Sequence, residues 1–227
     1  MKWLRKIVKQ PFRQYGKYKI YLVNGPTIRN TSLHGEEFSD FGTAADFEFV
    51  PKDEIWVEND VDPADRFYDI EQALDFLHLL ENGVDKDKAY ERSIRYTASL
   101  REKYEHVKHQ PHNTDKEAPK ELYIKELGTV EDGKIKVFLV NGRLVRDIYK
   151  TDFVLGGHGY VYPWVPNDEI WIDNIIDEED VEFTILHELT ELRLMRDQGI
   201  SYEKAHTKAS QAEFSAREKE NNQLPGN

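Results

Sequence analysis

Hydrophobic positions along this chain change their period in the same order twice. Residues 18–23, Tyr-Lys-Ile-Tyr-Leu-Val, are rich in β-formers and stop at Asn24-Gly25, a pair that signals a hairpin turn. Residues 47–50 and 55–57 predict two further short strands around a turn at Pro51. From about residue 63 the apolar period becomes helical, with Ile70, Leu74, Leu77 and Leu80 on one side. Gly83 suits the C-terminal cap of that helix, and Asp85 can cap a second one running to about residue 107. A polar, Pro-broken stretch then interrupts every period and predicts a linker over residues 109–120.

The second half repeats the order. Strands are expected over residues 122–127 and 135–140, with a turn at Glu131-Asp132-Gly133. Asn141-Gly142 again signals a turn, here into residues 143–148. Gly156-Gly157-His158-Gly159 reads as a flexible loop before Tyr160-Val161-Tyr162, and residues 169–173 as the next strand. A helix capped by Asp177 or Asp180 extends to Gln198, Gly199 ends it, and Ser201 caps a last helix to about residue 220. The repetition extends to identities. Val23-Asn24-Gly25 recurs as Val140-Asn141-Gly142, and Pro51-Lys52-Asp53-Glu54-Ile55-Trp56 as Pro166-Asn167-Asp168-Glu169-Ile170-Trp171. The expected fold is therefore α+β, a tandem duplication in which each copy is a small, mostly antiparallel sheet followed by an antiparallel helical hairpin. The expected domains are 1–108, carrying a basic N-terminal arm, and 121–227, joined by the 109–120 linker.

Composition narrows the chemistry. With 227 residues the chain is long enough for two cores. It has no cysteine, so disulfides, thiolate metal sites and a Cys nucleophile are excluded. A formal charge of −12 argues against a general nucleic-acid surface. The one basic cluster is Lys2, Arg5, Lys6, Lys9, Arg13, Lys17 and Lys19, which reads as a solvated or self-packed arm. Charges interrupt its apolar residues, so it is expected to be neither signal peptide nor transmembrane segment. A cytoplasmic or virion-associated protein is the default expectation.

The polar residues that differ between the copies carry the chemistry. His187 and Glu191 are four apart, on one helix face one turn from each other. At ~1.5 Å per residue, Glu191 lies roughly 12 Å before the Gly199 turn and His206 roughly 7–8 Å after it, while His187 and Glu213 are level at about 18 Å. A set of His187, Glu191 and His206 with an open position suits catalytic zinc, leaving Glu188 to activate water. Glu213 and His158 are possible additional members. Aligned through Gly83 and Gly199, the first copy has Glu71, Gln72, Asp75, Tyr90 and Thr97 at the positions of His187, Glu188, Glu191, His206 and Glu213. The main apolar stripe of this helix is expected at Ile185 or Leu186, Leu189, Leu192 and Arg196, with His187 and Glu191 off its centre.

His187-Glu188-Leu189-Thr190-Glu191 with His206 downstream resembles the zincin metallopeptidase pattern, as a variant with Glu in place of its second His. The resemblance implies His187 as first ligand, Glu188 as general base, Glu191 as second ligand and His206 as third, with zinc as cofactor and a peptide or protein as substrate. The glutamate also admits Mn or Fe. Zincins hold an extended substrate along a sheet edge, a role residues 159–164 or 170–173 can fill. The whole chain is also similar to domains from phages and metagenomes that bring no assigned activity. The first expectation is a zinc-dependent hydrolase whose first copy binds substrate or a protein partner. The alternative is a structural or interaction protein, such as a virion or accessory component, with a structural metal or none. Trp56 and Trp171, present in both copies, are assigned to packing.

Overall fold

The structure, a computed structural model, describes residues 9–30, 38–59, 61–105, 118–149 and 153–223. Most of the expected linker, residues 109–117, and the first eight residues of the basic arm lie outside the described residues. The fold is α+β. The first repeat comprises β1 (Lys9–Tyr15), β2 (Tyr18–Val23), α1 (Gly25–Arg29), β3 (Phe41–Thr43), β4 (Glu54–Glu58), α2 (Arg66–Glu81) and α3 (Lys86–Glu105). The second comprises β5 (Tyr123–Val130), β6 (Ile135–Val140), α4 (Gly142–Tyr149), β7 (Gly156–His158), β8 (Glu169–Asp173), α5 (Val181–Gln198) and α6 (Tyr202–Gln223).

The two sheets have one topology. Their strand orders are β1-β2-β4-β3 and β5-β6-β8-β7. The outer pairings are antiparallel, whereas β2/β4 and β6/β8 are parallel, so each sheet is mixed. The parallel pairing follows from α1 and α4, which the hairpin reading of Asn-Gly did not anticipate. Asn24 does not turn the chain back; its side-chain oxygen accepts the Thr27 backbone N–H at 2.8 Å and starts a helix. The glycine meets a different demand: a Cβ on Gly25 would lie 2.0 Å from a Glu58 carboxylate oxygen, and one on Gly142 1.9 Å from Asp173. The real first hairpin turns at Gly16, whose φ is +55°. The turn expected at Glu131-Asp132-Gly133 is present, all three residues having positive φ.

The repeated Pro-x-Asp-Glu-Ile-Trp segment now has a reason at each place. Glu54 N–H bonds Pro51 O at 2.9 Å and Glu169 N–H bonds Pro166 O at 3.0 Å, closing the turn before each strand. The Asp carbonyls receive Lys19 N–H and Lys136 N–H from the neighbouring strand. The Glu carboxylates receive the buried indole N–H groups of Trp56 and Trp171, at 2.6 and 2.7 Å. Residues 47–50, expected as a strand, form turns instead, and Phe47 and Phe49 pack with Phe38 against Val23, Ile28, Val50 and Trp56.

The chain divides into two compact units that do not follow the repeats. One contains 1–28, 38–111 and 143–152; the other contains 29–37, 112–142 and 153–227. Each unit thus includes a short segment from the other repeat. In the second unit the sheet presents Ile135, Val137, Ile170 and Ile172 to Leu192 of α5. Gly199 at φ +61° ends α5, and the backbone N–H groups of Gly199 and Ile200 bond back to Met195 and Leu194. That short connection packs α5 and α6 as an antiparallel hairpin.

Candidate metal centre

Helix α5 buries Thr184, Glu188, Glu191 and Leu192, so its inner face is more polar than the apolar stripe predicted. Arg196, placed on that stripe by periodicity, is instead held with Arg193 by Glu131 in the β5–β6 turn. These two guanidiniums draw the Glu131 carboxyl down to about 2. Glu191 keeps 3% of its side chain exposed, and a buried carboxylate needs partners.

Its partners are the other candidate residues. Glu191 Oε2 is 3.0 Å from His206 Nδ1 and 3.9 Å from His187 Nε2, and the two ring nitrogens are 3.1 Å apart. The other oxygen, Oε1, is 3.1 Å from His158 Nε2. Burial alone would push the Glu191 carboxyl up, but the rings of His158 and His206 outweigh it and hold it at about 2. Glu188 lies beside this set, 4.0 Å from His158 Nε2. Burial, then the charges of Glu191 and Glu213, raise its carboxyl well above the ordinary range.

Glu213 holds a different place from a ligand. Its Oε2 is 2.9 Å from His187 Nδ1, while its Oε1 accepts hydrogen bonds from Arg217 Nε and Nη2 at 3.0 and 2.7 Å. In the tautomer that donates from Nδ1 to Glu213, the His187 ring turns the lone pair of Nε2 towards His206 and Glu191. In that tautomer at most one hydrogen, on His206 Nδ1, lies among the three atoms, and the others present lone pairs. Donor atoms about 2.0–2.1 Å from a tetrahedral cation stand roughly 3.4 Å apart, a spacing the observed 3.0, 3.1 and 3.9 Å bracket. Two imidazoles and a carboxylate suit zinc, and equally manganese or iron. The residues fit such an ion.

Arg217 belongs to a clamp that sequence inspection missed. Its Nη1 bonds Asp180, at the N-terminus of α5, and Asn30; Arg29 bonds the other Asp180 oxygen through Nε and Nη2. The first unit has the same device: Asp65, at the N-terminus of α2, is held by Arg101 and Arg146, and Arg101 also reaches Asp147. Arg29 corresponds to Arg146, Asn30 to Asp147, Arg101 to Arg217, and Thr97 to Glu213. Each clamp has two arginines and two carboxylates. In the second unit the second carboxylate has moved to α6, where it reaches His187. Recurrence of these arginines at the repeat spacing was the available signal.

Strand register adds what residue patterns could not align. Gly157 pairs with Trp171 as Gly42 pairs with Trp56, so His158 corresponds to Thr43 and Gly156 to Phe41. Residues 156–158 of the loop expected over 156–159 are therefore a buried strand. A Cβ on Gly156 would lie 3.0 Å from Thr184 Cγ2 and 3.2 Å from Glu188 Cγ, so glycine admits α5 close to β7. Residues 170–173 lie in β8, paired on both sides, and cannot accept a substrate strand; no residue of 159–164 is in a strand. The site is open on the side of His206, whose side chain is 36% exposed and stands near the Tyr202 ring.

No protein-family model, curated protein or solved structure matches the chain, so only its own residues bear on its function. No helix among the described residues is long and apolar enough to cross a membrane.

Proposed function

We propose that the second repeat is a metal-dependent hydrolase, with zinc the first candidate ion. The observation that carries this is the convergence of His187 Nε2, His206 Nδ1 and Glu191 Oε2, which lie 3.0 to 3.9 Å from one another. The donor set stops at three. Glu213 is engaged by His187 and Arg217, which favours the open count of catalytic zinc over the closed four of structural sites. A divalent cation held there supplies Lewis-acid polarisation and a more acidic water.

The chain's own residues do the rest. Glu213 fixes the tautomer and direction of His187. Glu188, adjacent but outside the donor set, takes a proton from the attacking water and returns it to the leaving group, as a base whose carboxyl burial has already raised. The partly exposed His206 side admits the substrate. A peptide or protein is named as substrate through the zincin resemblance; the sheet offers no free strand at 170–173 to strengthen it.

Metal analysis of the purified chain, with His187→Ala and Glu188→Gln, tests this reading. One metal per chain is expected, lost in His187→Ala and retained in Glu188→Gln. Hydrolysis of an unselective peptide mixture should fall by about 10²–10⁴-fold in Glu188→Gln. Absence of metal after reloading with zinc, or metal content indifferent to His187→Ala, would sink it.

A further inference from the structure

We propose that His158 is a positioning residue that confines Glu191 to one coordinating oxygen, a role that rests on the metal site proposed above. His158 is fully buried in edge strand β7. Its Nδ1 accepts the Tyr160 backbone N–H at 3.2 Å. A neutral ring that accepts at Nδ1 carries its hydrogen on Nε2, and that nitrogen has no lone pair for a cation. His158 is thereby removed from the ligands and becomes a donor.

The donor faces the carboxylate that the site depends on. Nε2 is 3.1 Å from Glu191 Oε1, with its hydrogen off the line to that oxygen and no other acceptor in bonding position among the described residues. The opposite oxygen, Oε2, is the one beside His206 and His187. Glu191 therefore has one oxygen 3.1 Å from a buried ring nitrogen and the other beside the two candidate ligands. A carboxylate divided in this way coordinates through one oxygen, and a cation that has not taken both keeps a position for water and substrate. In the first repeat Thr43 stands at the position of His158, and its hydroxyl instead bonds Asp46 at 2.8 Å. The donor is thus specific to the repeat with the candidate site.

Cobalt(II) replaces zinc as the probe, because its visible absorption is strong when four-coordinate and weak at higher coordination numbers. Gln carries an N–H near the place of Nε2, whereas Asn mimics the Nδ1 side. The full chain and its His158→Gln variant should show the strong bands. His158→Asn and His158→Ala should bind one cobalt with weakened bands and about ten- to hundredfold lower affinity. Should Ala fail to fold, the Gln and Asn pair makes the same comparison. Unchanged spectra and affinity in Asn and Ala would overturn the proposal. So would loss of cobalt in all three variants with helical circular dichroism intact, which would make His158 a ligand. A full-length chain that binds no cobalt overturns the metal site itself, and that result is read before any His158 variant is made.

Discussion

Asp69 and Glu188 are both carboxyls raised by burial, but only Glu188 lies among the candidate metal ligands. Asp69, in α2, sits near Arg146, Arg101 and Arg66, yet burial and the neighbouring Asp65 prevail and raise its carboxyl to about 7. Its Oδ2 has no hydrogen-bond partner among the described residues. A carboxyl raised on folding binds its proton more tightly in the folded state, so stability falls as pH climbs from about 4 to about 7 and is then level. Asp69→Asn removes that penalty. The variant should be more stable than the parent by roughly 1–3 kcal/mol at pH 8, with the difference closing towards pH 4. Urea unfolding at both pH values reads this, and a gap of equal size at pH 4 would contradict it. The second repeat places Ile185 at the corresponding position, packed into its core, which shows that the fold does not need an acid there.

At the scale of elements, the helical hairpins and most of the sheet were legible because their periods are long and their ends chemically marked. Helices α2 and α5 run to glycines with left-handed φ, and the Glu-Ile-Trp strands recur with their indole partners built in. Helices α1 and α4 and strands β1, β3 and β7 were not legible. Asn-Gly satisfies a hairpin and a helix start equally, and the local pattern does not show the acid, far along the chain, against which each glycine packs. Gly-Gly-His has no β-propensity; β8 and the closeness of α5 make it a strand. The acid behind Gly142 gives a direct test. Asp173 is fully buried, and a Cβ on Gly142 would stand 1.9 to 2.2 Å from its carboxyl atoms, so the acid must move. Gly142→Ala should cost about 1–3 kcal/mol, a Tm loss of roughly 2–10 °C. In an Asp173→Ala background the same change should cost markedly less, and equal losses in both backgrounds would rule the clash out as cause.

At the scale of the whole molecule, the candidate site was legible as residues but not as a network. Histidine and glutamate spacing along α5 and α6 marked His187, Glu191 and His206, whereas no local pattern tells a chain to lend residues 29–37 to one unit and 143–152 to the other. Charge balance shows the consequence. Asp180 and Glu213 face Arg29 and Arg217, all buried, and removing Arg29 leaves two carboxylates to one guanidinium. Losing one member of such a buried set costs about 3–5 kcal/mol. Arg29→Leu, a change in the first repeat, should therefore loosen α5 and α6 of the second. Arg146→Leu, in the second repeat, should loosen α2 and α3 of the first, because Asp65 loses the corresponding partner. Amide hydrogen exchange resolves the two hairpins separately. The expected pattern is crossed: faster exchange in α5 and α6 for Arg29→Leu with α2 and α3 still protected, and the reverse for Arg146→Leu. An uncrossed pattern, with each substitution opening the hairpin of its own repeat, would mean that these arginines do not serve the clamps assigned to them. The crossed pattern would tie the direction of His187 to a residue in the other repeat, through Asp180, Arg217 and Glu213.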